Sequence, residues 1–163
     1  HINDAPNPGD YFTLDIASER AVIIRGDDGV IRAFHTLCRH RGSRVAAEKH
    51  GHCKNALVCP FHGWVYNLDG TLRGAARPQS FGELDRKQFG LKPIELEVWL
   101  GFIFIRFTAG PQASVAETMA VYADALGAYR TEDLVPTGQR NAFALPLNWQ
   151  SVRDVENLYP IHI

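Results

Sequence analysis

Two short stretches of this chain carry side chains suited to holding metals: "CRHRG" at residues 38–42 and "LVCPFHGWVYNLDG" at residues 57–70. They supply Cys38, His40, Cys59 and His62, a Cys-x-His pair and a Cys-x-x-His pair. Each pair puts two ligands on one loop, and two such loops can close over a metal from opposite sides. Eighteen residues separate His40 from Cys59, enough for the chain to leave the site and return. A zinc site with two cysteines and two histidines is one reading. The common zinc-finger order, however, places the cysteines together and the histidines together. One of each on each loop suits a [2Fe–2S] cluster with both thiolates on one iron and both imidazoles on the other. Neutral imidazoles make such a cluster less negative and easier to reduce, at about −150 to +300 mV against about −400 mV for four-thiolate ferredoxins. The plain reading to set against both is four unrelated core or surface residues.

Cys53 is left over, since both pairs are complete without it, and reads as a loop or packing residue. Arg39, Arg41, Arg44 and Lys54 flank the two loops. They read as a solvated face or, more sharply, as a docking patch for an acidic electron donor.

The elements that must position these loops read as strands. "YFTLDI" alternates apolar and polar residues, and "RAVIIRGDDGVIRAF" is a hairpin turning at Gly26–Gly29. The first loop then leaves the sheet, and residues 43–55 show no period and read as loop. "ALVC" is a short strand, and "WVYNLDGTLRG" a second hairpin turning at Leu68-Asp69-Gly70. Residues 74–92 read as a long ordered connection, and "IELEVW" and "FIFIRF" as a third hairpin around Leu100-Gly101. After Phe107 a linker, "TAGPQAS", leads to Ser114 and Glu117, a capping-box pair. The helix it starts is expected to reach about Tyr129, burying Val115, Met119, Tyr122 and Leu126 as plain core. Residues 142–147 read as one more strand, and a helix is expected from Asn148.

With 163 residues, 45% hydrophobic and 21% charged, the chain has the composition of a soluble globular protein able to bury a core without disulfides. A formal net charge of −1 gives no reason to expect nucleic acid or an anionic membrane as partner. No apolar run is long enough to span a bilayer, and no secretory signal is read at the start. Three cysteines, two of them in the candidate site, favour a reducing, cytoplasmic setting. The chain starts at His1 and stops at "LYPIHI", and is expected to be the N-terminal part of a larger subunit.

"CRHRG" with "CPFHGWVYNLDG" resembles the two cluster-binding loops of the Rieske [2Fe–2S] domain. The respiratory-complex type resembles CxHxGC with CPCHGS, where two extra cysteines form a disulfide and a serine hydroxyl bonds a cluster sulfur. Here Ser43 and Phe61 stand at the extra-cysteine positions and Trp64 at the serine position. Fewer bonds to sulfur stabilise the reduced state less, so the expected potential lies near the low end of the Rieske range. Backbone N–H groups around Arg41, Gly63 and Trp64 are expected to supply the remaining hydrogen bonds to the cluster.

"LNWQSVRDVENLYPIHI" resembles the start of the catalytic domain of Rieske non-heme iron oxygenase α subunits, of the aromatic-ring-hydroxylating type. His162, fourteen positions after Asn148, matches a histidine that binds a mononuclear Fe(II) in that family. The second histidine and the carboxylate of that facial triad would lie beyond the sequence. Where the family has an aspartate linking cluster and iron across a subunit boundary, this chain has Tyr159, with Asp154 and Glu156 upstream as substitutes.

The resemblance implies an α+β fold: an antiparallel all-β Rieske domain over 1–107, then a linker helix and the start of an α+β catalytic domain over 108–163. It implies a terminal oxygenase, a mono- or dioxygenase that uses O2 to hydroxylate or demethylate a small organic substrate. Electrons from NAD(P)H would arrive through a partner reductase, with or without a ferredoxin, since no G-x-G-x-x-G is present. A homotrimer or α3β3 assembly is expected. The alternative is a Rieske ferredoxin, an electron carrier with a helical appendage.

Overall fold

A computed structural model describes residues 1–81, 84–86 and 88–135, together with 137, 146 and 148. The chain builds β1 (Asp10–Ile16), β2 (Glu19–Arg25), β3 (Ile31–His35), β4 (His50–His52), β5 (Leu57–Val58), β6 (Val65–Tyr66), β7 (Leu72–Gly74), β8 (Pro93–Trp99) and β9 (Phe102–Arg106). These form two sheets, in the orders β4-β1-β2-β3-β8-β9 and β5-β6-β7, and every pairing is antiparallel.

Strand β2 is the spine. Its "AVII" run has no polar alternation because both of its faces are covered. Val22 and Ile24 join Phe34, Leu57, Trp64, Tyr66, Leu68 and Leu72 in one core, which also holds Cys38 and Cys59. Ala21 and Ile23 point the other way, into a smaller core with Ile31, Ala33 and Ile94. The first core lies between the large sheet and the small one, so the candidate cysteines are anchored in the larger of the two cores among the described residues.

The hairpin turns use the residues their geometry needs. Gly29 and Gly70 have φ of 77° and 85°, a left-handed region that costs glycine nothing. At Gly70 the reason is also steric, since a Cβ would lie 2.3 Å from the Phe34 ring. The Leu100-Gly101 turn has φ of 48° and 78°, as a two-residue hairpin turn with both central residues left-handed requires.

Two expectations need correction. Residues 43–55 are not all loop, because β4 pairs with β1 through Asp10↔His52 and Phe12↔His50. Three residues are too few to display a period, so only the partner strand reveals the element. The helix expected to Tyr129 is interrupted. The capping box forms, with the Glu117 N–H donating to Ser114 Oγ at 3.1 Å and the Ser114 N–H to Glu117 Oε2 at 2.7 Å. Beyond Ser114 the chain forms α1 (Val115–Thr118), a 3-10 turn (Ala120–Tyr122) and α2 (Ala123–Gly127), with no buried residue in any of them. Tyr122, expected as core, is 55% exposed. With none of its residues fully buried, a helix this short has little to hold it straight.

No helix among the described residues is long and apolar enough to cross a membrane. The strand expected over 142–147 and the site residues Asp154, Glu156, Tyr159 and His162 lie outside the described residues, apart from Pro146 in the former.

Candidate metal centre

The two ligand loops repeat one backbone design. The Cys38 N–H donates to the Ser43 carbonyl at 2.8 Å, and the Cys59 N–H donates to the Trp64 carbonyl at 2.8 Å. The Gly42 N–H returns to the Cys38 carbonyl at 2.9 Å, and the Gly63 N–H to the Cys59 carbonyl at 3.0 Å. Gly42 and Gly63 take φ of 74° and 68°, so each loop needs a residue without a Cβ four positions after its cysteine. His40 and His62 sit inside these closed turns, at spacings of two and three from their cysteines. The Gly63 N–H thus closes its own loop.

The cysteines and histidines separate by depth. Cys38 and Cys59 are buried, and their sulfurs interact. Burial pushes the Cys38 thiol above its ordinary pKa, opposed by Tyr66 and by the His40 N–H, which faces the same sulfur. Tyr66, fully buried, has its Oη 3.2 Å from Cys38 Sγ and accepts the Arg39 N–H at 2.9 Å. Burial, with the bond to Cys38, holds the Tyr66 hydroxyl well above its usual range, so it stays a donor.

The imidazoles lie toward the surface, edge to face, with ring centroids 4.6 Å apart. His40 is stacked on Trp64 at 5.1 Å and 8°, with Phe81 edge-on at 5.5 Å. Desolvation, then the neighbouring His62 and Arg41, lower the His40 pKa, which favours the neutral ring a metal needs. In both histidines Nδ1 is buried without a hydrogen-bond partner. An orphaned buried acceptor is costly and calls for a reason. Here the same atom is orphaned on two rings that face one another beside two buried sulfurs.

That arrangement fits a [2Fe–2S] cluster. Zinc would draw all four ligands around one point at about 2.0–2.3 Å. Among the described residues, no three His, Cys, Asp or Glu gather as a single ion would need. A sulfide-bridged pair of irons instead needs two thiolates at one end and two imidazoles at the other. Cys38 and Cys59 could hold the inner iron, His40 and His62 the outer one.

All three cysteines are free, and Phe61 is 61% exposed where a disulfide-forming type would carry cysteine. Cys53 is half-buried against the first core, with its N–H bonded to the Gly9 carbonyl at 2.8 Å. It is a packing residue, as expected. Sequence reasoning missed Tyr66. The only signal was its place two residues after Trp64, which in a strand directs both side chains to the same face.

A family model for the Rieske [2Fe-2S] domain matches residues 1–89, which include both loops. The glycine betaine monooxygenase oxygenase subunit of Pseudomonas aeruginosa is 36% identical over 94% of this chain and 34% of its own length. The carnitine monooxygenase oxygenase subunit of Escherichia coli is 31% identical over 94% of this chain and 41% of its own. The crystal structure of the quaternary ammonium Rieske monooxygenase CntA with an inhibitor superposes with a TM-score of 0.85 at 31% identity. It covers 94% of this chain and 42% of that one. The chain thus spans about two fifths or less of the length of these proteins.

Proposed function

The chain belongs to the Rieske [2Fe–2S] domain family, among the α subunits of Rieske non-heme iron oxygenases, and on that premise we propose that it is the electron-receiving part of a terminal oxygenase. Cys38, His40, Cys59 and His62 are the cluster ligands, with Arg41, Gly63 and Trp64 around them. Residues 1–107 form this domain, and 108–163 begin the catalytic one. His162 binds a mononuclear Fe(II), with Asp154, Glu156 and Tyr159 in the region that links the two centres. The cluster, when bound, supplies one-electron transfer to that iron, which activates O2.

The observation that carries the reading is the pair of orphaned Nδ1 atoms set against two buried thiols on twin loops. The chain's own residues then define the electron's route. The first core keeps water from the sulfurs, while His40 and His62 form the edge through which an electron enters and leaves. The Tyr66 hydroxyl keeps its proton aimed at Cys38 Sγ. The electron-carrier alternative is set aside, because similarity to oxygenase subunits extends past the Rieske domain to 94% of the chain.

The substrate is a small quaternary ammonium compound, a class supported by the names of the relatives. A reductase, with or without a ferredoxin, is the electron source, and the assembly is a trimer. The test uses the full-length protein. Iron analysis should find a third iron per chain beyond the cluster's two, and NAD(P)H consumption with a partner reductase should rise with glycine betaine or carnitine but not benzoate. Two irons only, or stimulation by benzoate alone, would overturn the oxygenase or the substrate class respectively.

A further inference from the structure

Residues 131–134 are tied back to the first residues of the sequence and to the Leu100-Gly101 turn. The Asn3 side-chain amide donates to the Glu132 carbonyl at 3.1 Å and to the Leu134 carbonyl at 2.8 Å. The Thr131 hydroxyl donates to the Leu100 carbonyl at 2.7 Å. His1 Nδ1 accepts the Asn3 N–H at 3.2 Å, so Nε2 carries the ring hydrogen and donates to the Thr131 carbonyl at 2.9 Å. The segments also pack flush. A Cβ on Gly101 would lie 2.7 Å from His1 Nε2 and 2.8 Å from Glu132 Cα.

Residues 1–5 are in turn anchored on the sheets. Ile2 packs against the second core, and its N–H donates to the Gly101 carbonyl at 2.9 Å. The Arg25 guanidinium donates to the Ala5 and Ile2 carbonyls at 2.6 and 3.2 Å. The stretch just before residue 131 is held less firmly, since α1, the 3-10 turn and α2 bury no residue. The chain turns back to the sheets at Arg130, which is left-handed at φ 46°. A side-chain-bearing residue resists that conformation, which persists where the contacts around it over-determine it. Every residue after Leu134, His162 included, follows on from this pinned segment.

We propose that Asn3 is a positioning residue for electron transfer: by pinning residues 131–134 to the sheets, it fixes how the cluster-bearing part is held on the rest of its subunit, and so the separation of cluster and mononuclear iron. This rests on the function proposed above. One electron leaves the reduced cluster, the mononuclear iron gains it, and Asn3 touches neither. In the trimer, the way each cluster-bearing part is held on its own subunit also sets where it meets the neighbour. A displacement of about 1 Å, caused far from the chemistry, can cost about a hundredfold in rate. The pin therefore matters to transfer well beyond the strength of its two hydrogen bonds.

The test compares full-length, iron-loaded wild type with Asn3→Ala, which removes both bonds, and Asn3→Asp, which keeps the shape but turns a carboxylate toward two carbonyl oxygens. The first readout is trypsin cleavage after Arg130, which requires the pinned segment to open. Its rate should rise about tenfold in Asn3→Ala and further in Asn3→Asp. The second is single-turnover reoxidation of a chemically reduced cluster by O2 with glycine betaine, followed by visible absorption. It should slow about tenfold in both variants, at the midpoint potential and iron content of wild type. Unchanged cleavage would overturn the pin, and unchanged reoxidation would overturn its part in transfer. A shifted potential or lost iron would also overturn the proposal, because the change would then lie at the centres themselves. A wild type with two irons only would refute the oxygenase reading and this proposal with it, whereas three irons with unchanged reoxidation in the variants would refute this proposal alone.

Discussion

Replacing Tyr66 by phenylalanine removes one oxygen atom from a fully buried ring and should lower the midpoint potential of the cluster. The Tyr66 Oη accepts the Arg39 N–H at 2.9 Å, which directs its own hydrogen toward Cys38 Sγ, 3.2 Å away. Once the sulfur is a metal-bound thiolate it has no proton to give, so tyrosine is the donor. Reduction adds negative charge to the acceptor and strengthens the bond. A hydrogen bond between neutral groups contributes about 0.5–1.5 kcal/mol and one to a charged group about 1.5–3 kcal/mol. The difference that favours the reduced state is therefore roughly 1–1.5 kcal/mol. For a one-electron couple about 59 mV corresponds to a factor of ten, or about 1.4 kcal/mol, so the expected drop is roughly 40–65 mV. The assay is a redox titration monitored by visible circular dichroism or electron paramagnetic resonance, on wild type and Tyr66→Phe with equal iron content. The Arg39 N–H also loses its acceptor, so the variant should be less stable by about 1–3 kcal/mol. An unchanged or raised potential would refute the reasoning, because the hydroxyl would then favour the oxidised state or touch neither.

Other parts of the molecule carry three more expected outcomes. His62→Ala should abolish the visible absorption of the cluster and reduce bound iron by two per chain, and full iron retention would remove His62 from the ligand set. Gly70→Ala must place a methyl 2.3 Å from the Phe34 ring at φ 85°, so denaturant unfolding should show a loss of roughly 2–5 kcal/mol. Asp28 is held well below the usual carboxylate range, by the Arg32 guanidinium first and the Val30 N–H second. A depressed folded pKa contributes stability above the unfolded value, near pH 4, and loses it as pH falls below that. Asp28→Asn should therefore flatten the rise of melting temperature with pH across the acid range, and an unchanged profile would count against the pair.

The spacing of Cys38, His40, Cys59 and His62 was enough to bring out a two-plus-two metal site, because ligand chemistry depends on residue type and on which loop carries it. The hairpins at Gly26–Gly29, Leu68-Asp69-Gly70 and Leu100-Gly101 were equally readable, since turn geometry is set by two to four neighbouring residues. The short strand His50–His52 was not readable, because its pairing with Asp10–Phe12 is a contact between segments some forty residues apart. The helix after Ser114 shows the reverse error. Its cap is local and forms as expected, but its continuation depends on tertiary burial, and none of its residues is buried.

The amino-acid order alone pointed to Cys38, His40, Cys59 and His62 as candidate metal ligands carried on two loops. Only the tertiary structure decided that those loops turn on Gly42 and Gly63, that the thiols lie inside and the imidazoles outside, and that the Tyr66 hydroxyl meets a sulfur twenty-eight positions away. Residue type and short spacing determine local geometry. Depth and partners arise when distant segments pack, and no short stretch of sequence contains them.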